Sequence, residues 1–571
     1  MSVGTTQRIT RHFATVGGRR QVHYRRCGEG SPVILLHQSP ASSREYLGLI
    51  AEIAALGRTV IAPDTPGNGL SDPLPDRDEP RMEEFASALS EFMTELAIES
   101  APVYGFHTGG VCALALGLLH PERVTVGVTD GYVHLGDLQR EEILANYFTP
   151  LGCDWSGSHL TWAWARMREQ VIFFPWYRKD TASRIEMDLP PPAVLHDWLM
   201  ELMRAGDAYR KAYRAAFTFD CAQAVRTTRA NTVITTTRTD VLNPCMDALP
   251  PVPANVLTRR PETDAQSRAL TIQTLLAHPS PQPNVANRSA KPMPGRIWAD
   301  YLQVNGVSIY CRRSTEGEGR PIVMVHPSVE SSLSMDRYMQ PLIGRRPLLA
   351  VDLPGNGESD SGGTEISVET QARMLGQAIR AAGYDEVELF GHQGGGYVAV
   401  ELACQEPGLV KHVAAPTMAI LDDARRQEYI ELYAPAIELE EYGAHLIKAW
   451  NMLRDQELFE PWYKRTREHI RRDSEPDIAP EVIHRRVMDL FKCIDIYQAV
   501  HLAHFTYPVL EKLKQVRCPV LIGSQAADAL KGAAPIGGSV TIRPTSDVTE
   551  LSRSMMDFFE GKDVASAKRQ A

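Results

Sequence analysis

The chain has 571 residues, of which 43% are hydrophobic and 23% charged, and its formal net charge is −10. That length exceeds a single hydrophobic core and predicts about two to four domains, while the balanced composition excludes a fibrous or disordered chain. A negative balance without any basic cluster excludes nucleic acid and anionic membrane as electrostatic partners, which leaves a small molecule as the expected ligand.

No segment approaches the roughly 18 apolar residues of a membrane span, so a soluble protein is expected. The opening stretch MSVGTTQRITRHF is not followed by the apolar region of a secretion signal, which makes the cytoplasm the expected compartment. Nine cysteines, at 27, 112, 153, 221, 245, 311, 404, 493 and 518, lack the paired short spacings of zinc sites or disulfide frameworks. They are expected to be reduced and mostly buried thiols.

Along the chain, VILLH (33–37) is a strand-length apolar run before a loop and helix. TVIAPD (59–64) ends in a Pro-Gly turn, and APVYGF (101–106) leads directly into HTGGVCALALGLLH. Near-continuous apolar strands alternating with helices predict a parallel sheet covered on both faces, a doubly wound α/β fold with its pocket at the carboxyl ends of the strands.

The same order then recurs. PDTPGNGLSD (63–72) returns as VDLPGNGESD (351–360), GFHTGG (105–110) as GHQGGG (391–396), and GSHLTWAWARMREQVIFFPWY (157–177) as GAHLIKAWNMLRDQELFEPWY (443–463). Three motifs in one order at nearly one offset indicate a tandem duplication. Between the copies, HPSPQPNVANRSAKPMPG (278–295) carries five prolines, which deny ladder hydrogen bonds and helix continuation and mark a linker. The expected organisation is a first domain over 1–278, a linker over 279–295, a second domain over 296–563 and a tail over 564–571. Helical caps are expected near 134–220 and 420–507, and the two copies are expected to pair with each other.

These residues resemble the α/β-hydrolase superfamily, in particular its epoxide-hydrolase and haloalkane-dehalogenase-like branch. The features that carry the resemblance are HQSPASS (37–43) after the third strand, D-x-P-G-N-G-x-S-D after the fourth, a glycine-flanked elbow after the fifth, and a cap following Asp130. The resemblance implies a strained strand-to-helix elbow that presents a nucleophile between small residues. Gly105, Gly109, Gly391 and Gly395 keep those flanks, but the nucleophile positions hold His107 and Gln393. The family's general-base histidine is also missing from the loops after the last strands, TRRPETDAQ (258–266) and TIRPTSDVT (541–549). The triad acid could remain as Asp240 in copy one and Asp528 in copy two, with no histidine to orient. The resemblance further implies an oxyanion hole from the N–H groups of Ser39 and Thr108 in copy one, and of Ser328 and Gly394 in copy two.

His107 is the leading candidate, since an imidazole at an elbow tip can act as general acid or base near neutral pH. His159 and His445 begin the cap repeat and could reach over the elbow or pack locally. Arg168 and Arg454 could bind a carboxylate, although an ion pair within the cap is the simpler reading, and Trp176, Tyr177, Trp462 and Tyr463 read as cap core. His37 and His326 are expected to brace loops. His37, His107 and His159 could hold a metal, but no ligand spacing supports one. Gln393 can only hydrogen-bond, which makes copy two the expected scaffold half, and its sixth strand ends in VAAPT (413–417) where copy one has VTDGY (128–132).

The expected activity is that of a hydrolase-fold enzyme without a Ser-His-Asp triad, needing no cofactor or metal, in which His107, His159 and Asp240 serve hydrolytic or lyase-type cleavage of a small organic molecule. Covalent serine catalysis is disfavoured in both copies. The other classes left open are a tandem ligand-binding or scaffold protein and an oxygenase-like or metal-dependent chemistry at the same pocket.

Overall fold

A computed structural model describes residues 8–75, 78–363, 365–472, 475–523, 540–542, 547–562 and 564. The chain forms two compact units: residues 1–154, 158–291 and 439–443, and residues 155–157, 292–438 and 444–571.

The first unit is built on eight strands: β1 (Thr10–Val16), β2 (Arg20–Cys27), β3 (Pro32–Leu36), β4 (Thr59–Pro63), β5 (Ala101–Phe106), β6 (Val124–Asp130), β7 (Thr232–Thr235) and β8 (Val256–Arg259). They lie in the order β1-β2-β4-β3-β5-β6-β7-β8. The β1–β2 and β2–β4 pairs are antiparallel and all later pairs parallel. Strands β3 and β4 are buried along their whole length, as a sheet covered on both faces requires. The helices Asp137–Asn146, Ser158–Gln170, Pro192–Ala205 and Tyr209–Thr218 fall between β6 and β7, in the segment expected to form the cap.

In the second unit the strands are β9 (Trp298–Val304), β10 (Val307–Ser314), β11 (Ile322–Val325), β12 (Leu348–Val351), β13 (Val387–Gly391), β14 (Val410–Ala415), β15 (Val520–Gly523) and β16 (Val540–Ile542). Their order, β9-β10-β12-β11-β13-β14-β15-β16, repeats that of the first sheet. The helices Asp423–Leu432, Ala444–Leu458, Pro480–Lys492 and Tyr497–Thr506 fall between β14 and β15. Asp528 lies outside the described residues.

The proline-rich segment follows the first unit as an ordered strap. Arg26 donates to the Val285 carbonyl at 2.5 Å and Thr15 Oγ1 to the Lys291 carbonyl at 2.8 Å, so side chains of β1 and β2 satisfy carbonyls that the prolines keep out of any ladder. All nine cysteines are free thiols, five of them buried. Among the described residues no helix is long and apolar enough to cross a membrane.

Candidate active sites at the two elbows

At the end of β5 the backbone turns sharply into the helix Thr108–Leu119, and His107 sits at the turn with φ 46° and ψ −110°. A non-glycine residue held there costs on the order of 1–3 kcal/mol and persists only where its surroundings enforce it. The glycines do so by close approach: a Cβ on Gly105 would meet the Gly109 carbonyl oxygen at 2.1 Å, and one on Gly109 would meet the Leu36 oxygen at 2.0 Å. In the second unit Gln393 has φ 48°, and a Cβ on Gly395 would meet the Val325 oxygen at 2.4 Å.

The first elbow carries a histidine–carboxylate pair. His107 Nε2 lies 2.9 Å from Asp240 Oδ2, with the two side chains 20% and 13% exposed. Burial, the largest single influence, would lower the pKa of His107, but the carboxylates of Asp240, Asp130 and Glu45, with Asp240 the foremost, together raise the imidazole above its ordinary value. Burial works against the charged form of Asp240 too, yet His107 holds its carboxyl below the usual range. Beside them Asp130 is pushed up to about 6 by burial, and Tyr104 donates to its Oδ2 at 3.1 Å. The His107 ring stacks on Phe106 with centroids 3.9 Å apart. It also lies directly against Gly131, where a Cβ would come within 2.3 Å of His107 Cδ2. Among the described residues Nδ1 of His107 has no hydrogen-bond partner, and neither do the N–H groups of Ser39 and Thr108.

The expectation that Asp240 has no histidine to orient is corrected here. The elbow histidine itself fills that role, across 133 residues of sequence. His159 is not brought to this pair. It is 6% exposed, its Nδ1 accepts from the Asp154 N–H at 3.1 Å, and burial lowers its pKa. His37 braces two loops, with Nε2 accepting from Thr65 N–H at 2.9 Å and Nδ1 2.7 Å from the Gln38 carbonyl. His37, His107 and His159 form no ligand cluster among the described residues.

The second elbow differs chemically. Gln393 is exposed and its N–H donates to Thr417 Oγ1 at 2.9 Å, while that hydroxyl also lies 3.0 Å from His392 Nδ1. Thr417 stands at the position of Gly131, so the space that the His107 ring takes in the first unit holds a threonine. His445 is fully buried against the Phe491 ring at 5.7 Å and is lowered to about 4 by burial. Glu330, two residues past Ser328, pairs with Arg486 of the cap helix at 3.1 Å, and Arg486 pairs with Glu457 at 2.8 Å. The first unit has Ala41 and Trp198 at the corresponding positions.

Sequence reasoning missed one further grouping. Ser328 Oγ lies 2.6 Å from His504 Nδ1, and His504 Nε2 lies 3.1 Å from Gln371 Oε1. His504, contributed by the last cap helix and not by the loop after the final strand, is thereby set beside a serine in this unit.

A family model described as alpha/beta hydrolase fold matches residues 31–166 and again 320–463. The 2-hydroxy-6-oxo-6-phenylhexa-2,4-dienoate hydrolase of Comamonas testosteroni is 32% identical over 133 residues, 23% of this chain and 43% of the relative. The soluble epoxide hydrolase of Corynebacterium sp. (strain C12) is 37% identical over 106 residues, 18% of this chain and 35% of the relative. A solved structure, "Epoxide hydrolase CorEH without ligand", aligns with a TM-score of 0.37 and 19% identity over 47% of this chain and 99% of that one. The chain thus spans less than half the length of these curated relatives.

Proposed function

Both halves of this chain belong to the α/β-hydrolase-fold family, and from that premise we propose that the first unit is an enzyme in which His107, oriented by Asp240, performs acid–base catalysis of bond cleavage in a small carbonyl compound. The single observation that carries this reading is the 2.9 Å contact between His107 Nε2 and Asp240 Oδ2. A carboxylate on one ring nitrogen keeps the proton there and leaves the other nitrogen as an acceptor, which is the division of labour in histidine–carboxylate catalysis.

In the proposed reaction, Nδ1 of neutral His107 takes a proton from water as the water oxygen adds to the substrate carbonyl carbon. The oxyanion is stabilised by the N–H groups of Ser39 and Thr108, which lack protein acceptors and are therefore available. The adjoining bond breaks, the leaving carbon or oxygen takes the proton back from Nδ1, and a carboxylic acid and a protonated leaving group depart. The similarity to a relative named as a hydrolase of a phenyl-substituted oxo-dienoate supports carbon–carbon cleavage beside a ketone as the first substrate class to screen.

The test is product formation from a panel of conjugated ketones and small esters, run in parallel with wild type, His107→Ala and Asp240→Asn. Turnover by wild type that falls roughly 10²–10⁴-fold in His107→Ala is the expected result, and equal turnover in the two would overturn the assignment.

A further inference from the structure

In the second unit the elbow residue Gln393 has no group that titrates, yet a buried polar chain runs beside it. Gln371 Oε1 can only accept, so the proton it meets at 3.1 Å is on His504 Nε2. His504 Nδ1 is then the acceptor for the Ser328 hydroxyl at 2.6 Å. His504 is 2% and Gln371 1% exposed, whereas Ser328 is only half-buried. The base and its anchor therefore sit behind a hydroxyl whose lone pairs remain available.

The internal repeat argues that this chain is specific to the second unit. The first unit retains Ser39 at the position of Ser328, two residues past the third-strand histidine. It has Ala216 in the helix Tyr209–Thr218 where the second has His504, Phe85 in the helix Met82–Glu95 where the second has Gln371, and Thr108 where the second has Gly394. All three differences act on one contact. A Cβ on Gly394 would come within 2.2 Å of Ser328 Oγ and 2.5 Å of His504 Nδ1, so the glycine is what gives the serine–histidine pair room. A buried imidazole costs free energy unless both its nitrogens are bonded, and here Nδ1 faces the Ser328 hydroxyl and Nε2 faces Gln371 Oε1, while Gln371 Nε2 is buried without a partner.

We propose that Ser328 is a nucleophile towards small carboxylic esters, with His504 as its base and Gln371 as the positioning residue that fixes the His504 tautomer. Ser328 Oγ attacks the ester carbonyl carbon and its proton passes to His504 Nδ1. The ester carbon–oxygen bond breaks, the alcohol leaves with that proton, and Ser328 carries the acyl group. Water then repeats the sequence, giving its proton to His504 and releasing the carboxylic acid as Ser328 is reprotonated. The Gly394 N–H has no acceptor among the described residues and is the donor assigned here to the developing oxyanion. Gln371 carries no charge to balance an imidazolium, so acylation is slow with ordinary esters and is best read with an activated reagent.

The full chain is treated with a fluorophosphonate and with p-nitrophenyl acetate, and adducts are located by intact mass and peptide mapping. One adduct per chain at Ser328 is expected, absent in Ser328→Ala and formed about tenfold or more slowly in His504→Gln and Gln371→Leu. Gln371→Glu, which puts a carboxylate on His504 Nε2, is expected to raise the rate above that of wild type and to shift its pH profile. Absence of an adduct, an adduct elsewhere, or a rate that is unchanged in all three His504 and Gln371 variants overturns the proposal. Unequal behaviour of Gln371→Leu and Gln371→Glu, measured on variants with native circular dichroism, separates positioning from simple packing.

Discussion

The two elbows have the same backbone and different chemistry. His107 and Gln393 share φ values of 46° and 48°, and both turns are held by glycines whose Cβ atoms would collide with neighbouring carbonyls. In the first unit Gly131 leaves a slot for the imidazole, which turns to Asp240 at 2.9 Å. In the second, Thr417 fills that slot and binds the backbone of Gln393 instead, while the polar grouping moves to Ser328, His504 and Gln371. The strained turn is thus a property of the glycines and strand ends, and the side chain at its tip can change without loss of the turn. What a site of this fold can do is decided by what stands opposite the tip.

The largest effect that would break this comparison is on His107 itself. His107→Ala is expected to lower turnover in the first unit by roughly 10²–10⁴-fold with a stability loss of about 1–3 kcal/mol, since it leaves the largely buried Asp240 carboxylate without its partner; steady-state kinetics and a melting curve check both halves of that statement. Next comes Gly131→Thr, which copies the second unit. Its Cβ would stand 2.3 Å from His107 Cδ2 at a φ of 90°, so turnover should fall nearly as far, with a stability loss of about 1–3 kcal/mol visible in denaturant unfolding.

Asp240→Asn sharpens the comparison through pH. The carboxylate raises the His107 pKa, so a His107 that works as a neutral base gains activity as pH rises through that raised value. Removing the charge lowers the pKa, and the rising limb of the pH–rate profile should move to lower pH with a plateau reduced by about tenfold or more. The linked stability has the opposite sign: the stabilisation from the raised His107 pKa is full below its unfolded value near 6.5 and is lost as pH rises through the folded value. The smallest effect is Gln393→Ala, expected to leave first-unit turnover within about twofold, since that side chain is exposed and belongs to the other unit.

Strands, elbows and the duplication were legible in the sequence because each is written in short-range pattern: apolar runs for β3, β4 and β5, glycines at fixed spacing, and repeated words. The resemblance named the elbow tip and the acid position as separate places. It did not pair them, because a histidine was sought after the last strand and the one that bonds Asp240 sits on the elbow, 133 residues away. His159 was read from a repeat that marks a helix start, and its Nδ1 accepts from the Asp154 N–H of its own segment. The Ser328–His504 contact spans 176 residues and joins a loop to a cap helix, which periodicity cannot register. The signal that could have found it was the repeat itself, in the joint replacement of Phe85, Thr108 and Ala216 by Gln371, Gly394 and His504.

The central claim, that Asp240 raises the pKa of the elbow imidazole and orients it, needs no substrate to test. Nuclear magnetic resonance titration of the His107 ring in wild type and in Asp240→Asn reads it directly. The account predicts a wild-type pKa above the ordinary value near 6.5, Nε2 protonated in the neutral form, and a clear fall in pKa once the carboxylate is gone. A His107 that titrates below 6.5 in wild type, or at the same pH in both proteins, would contradict it.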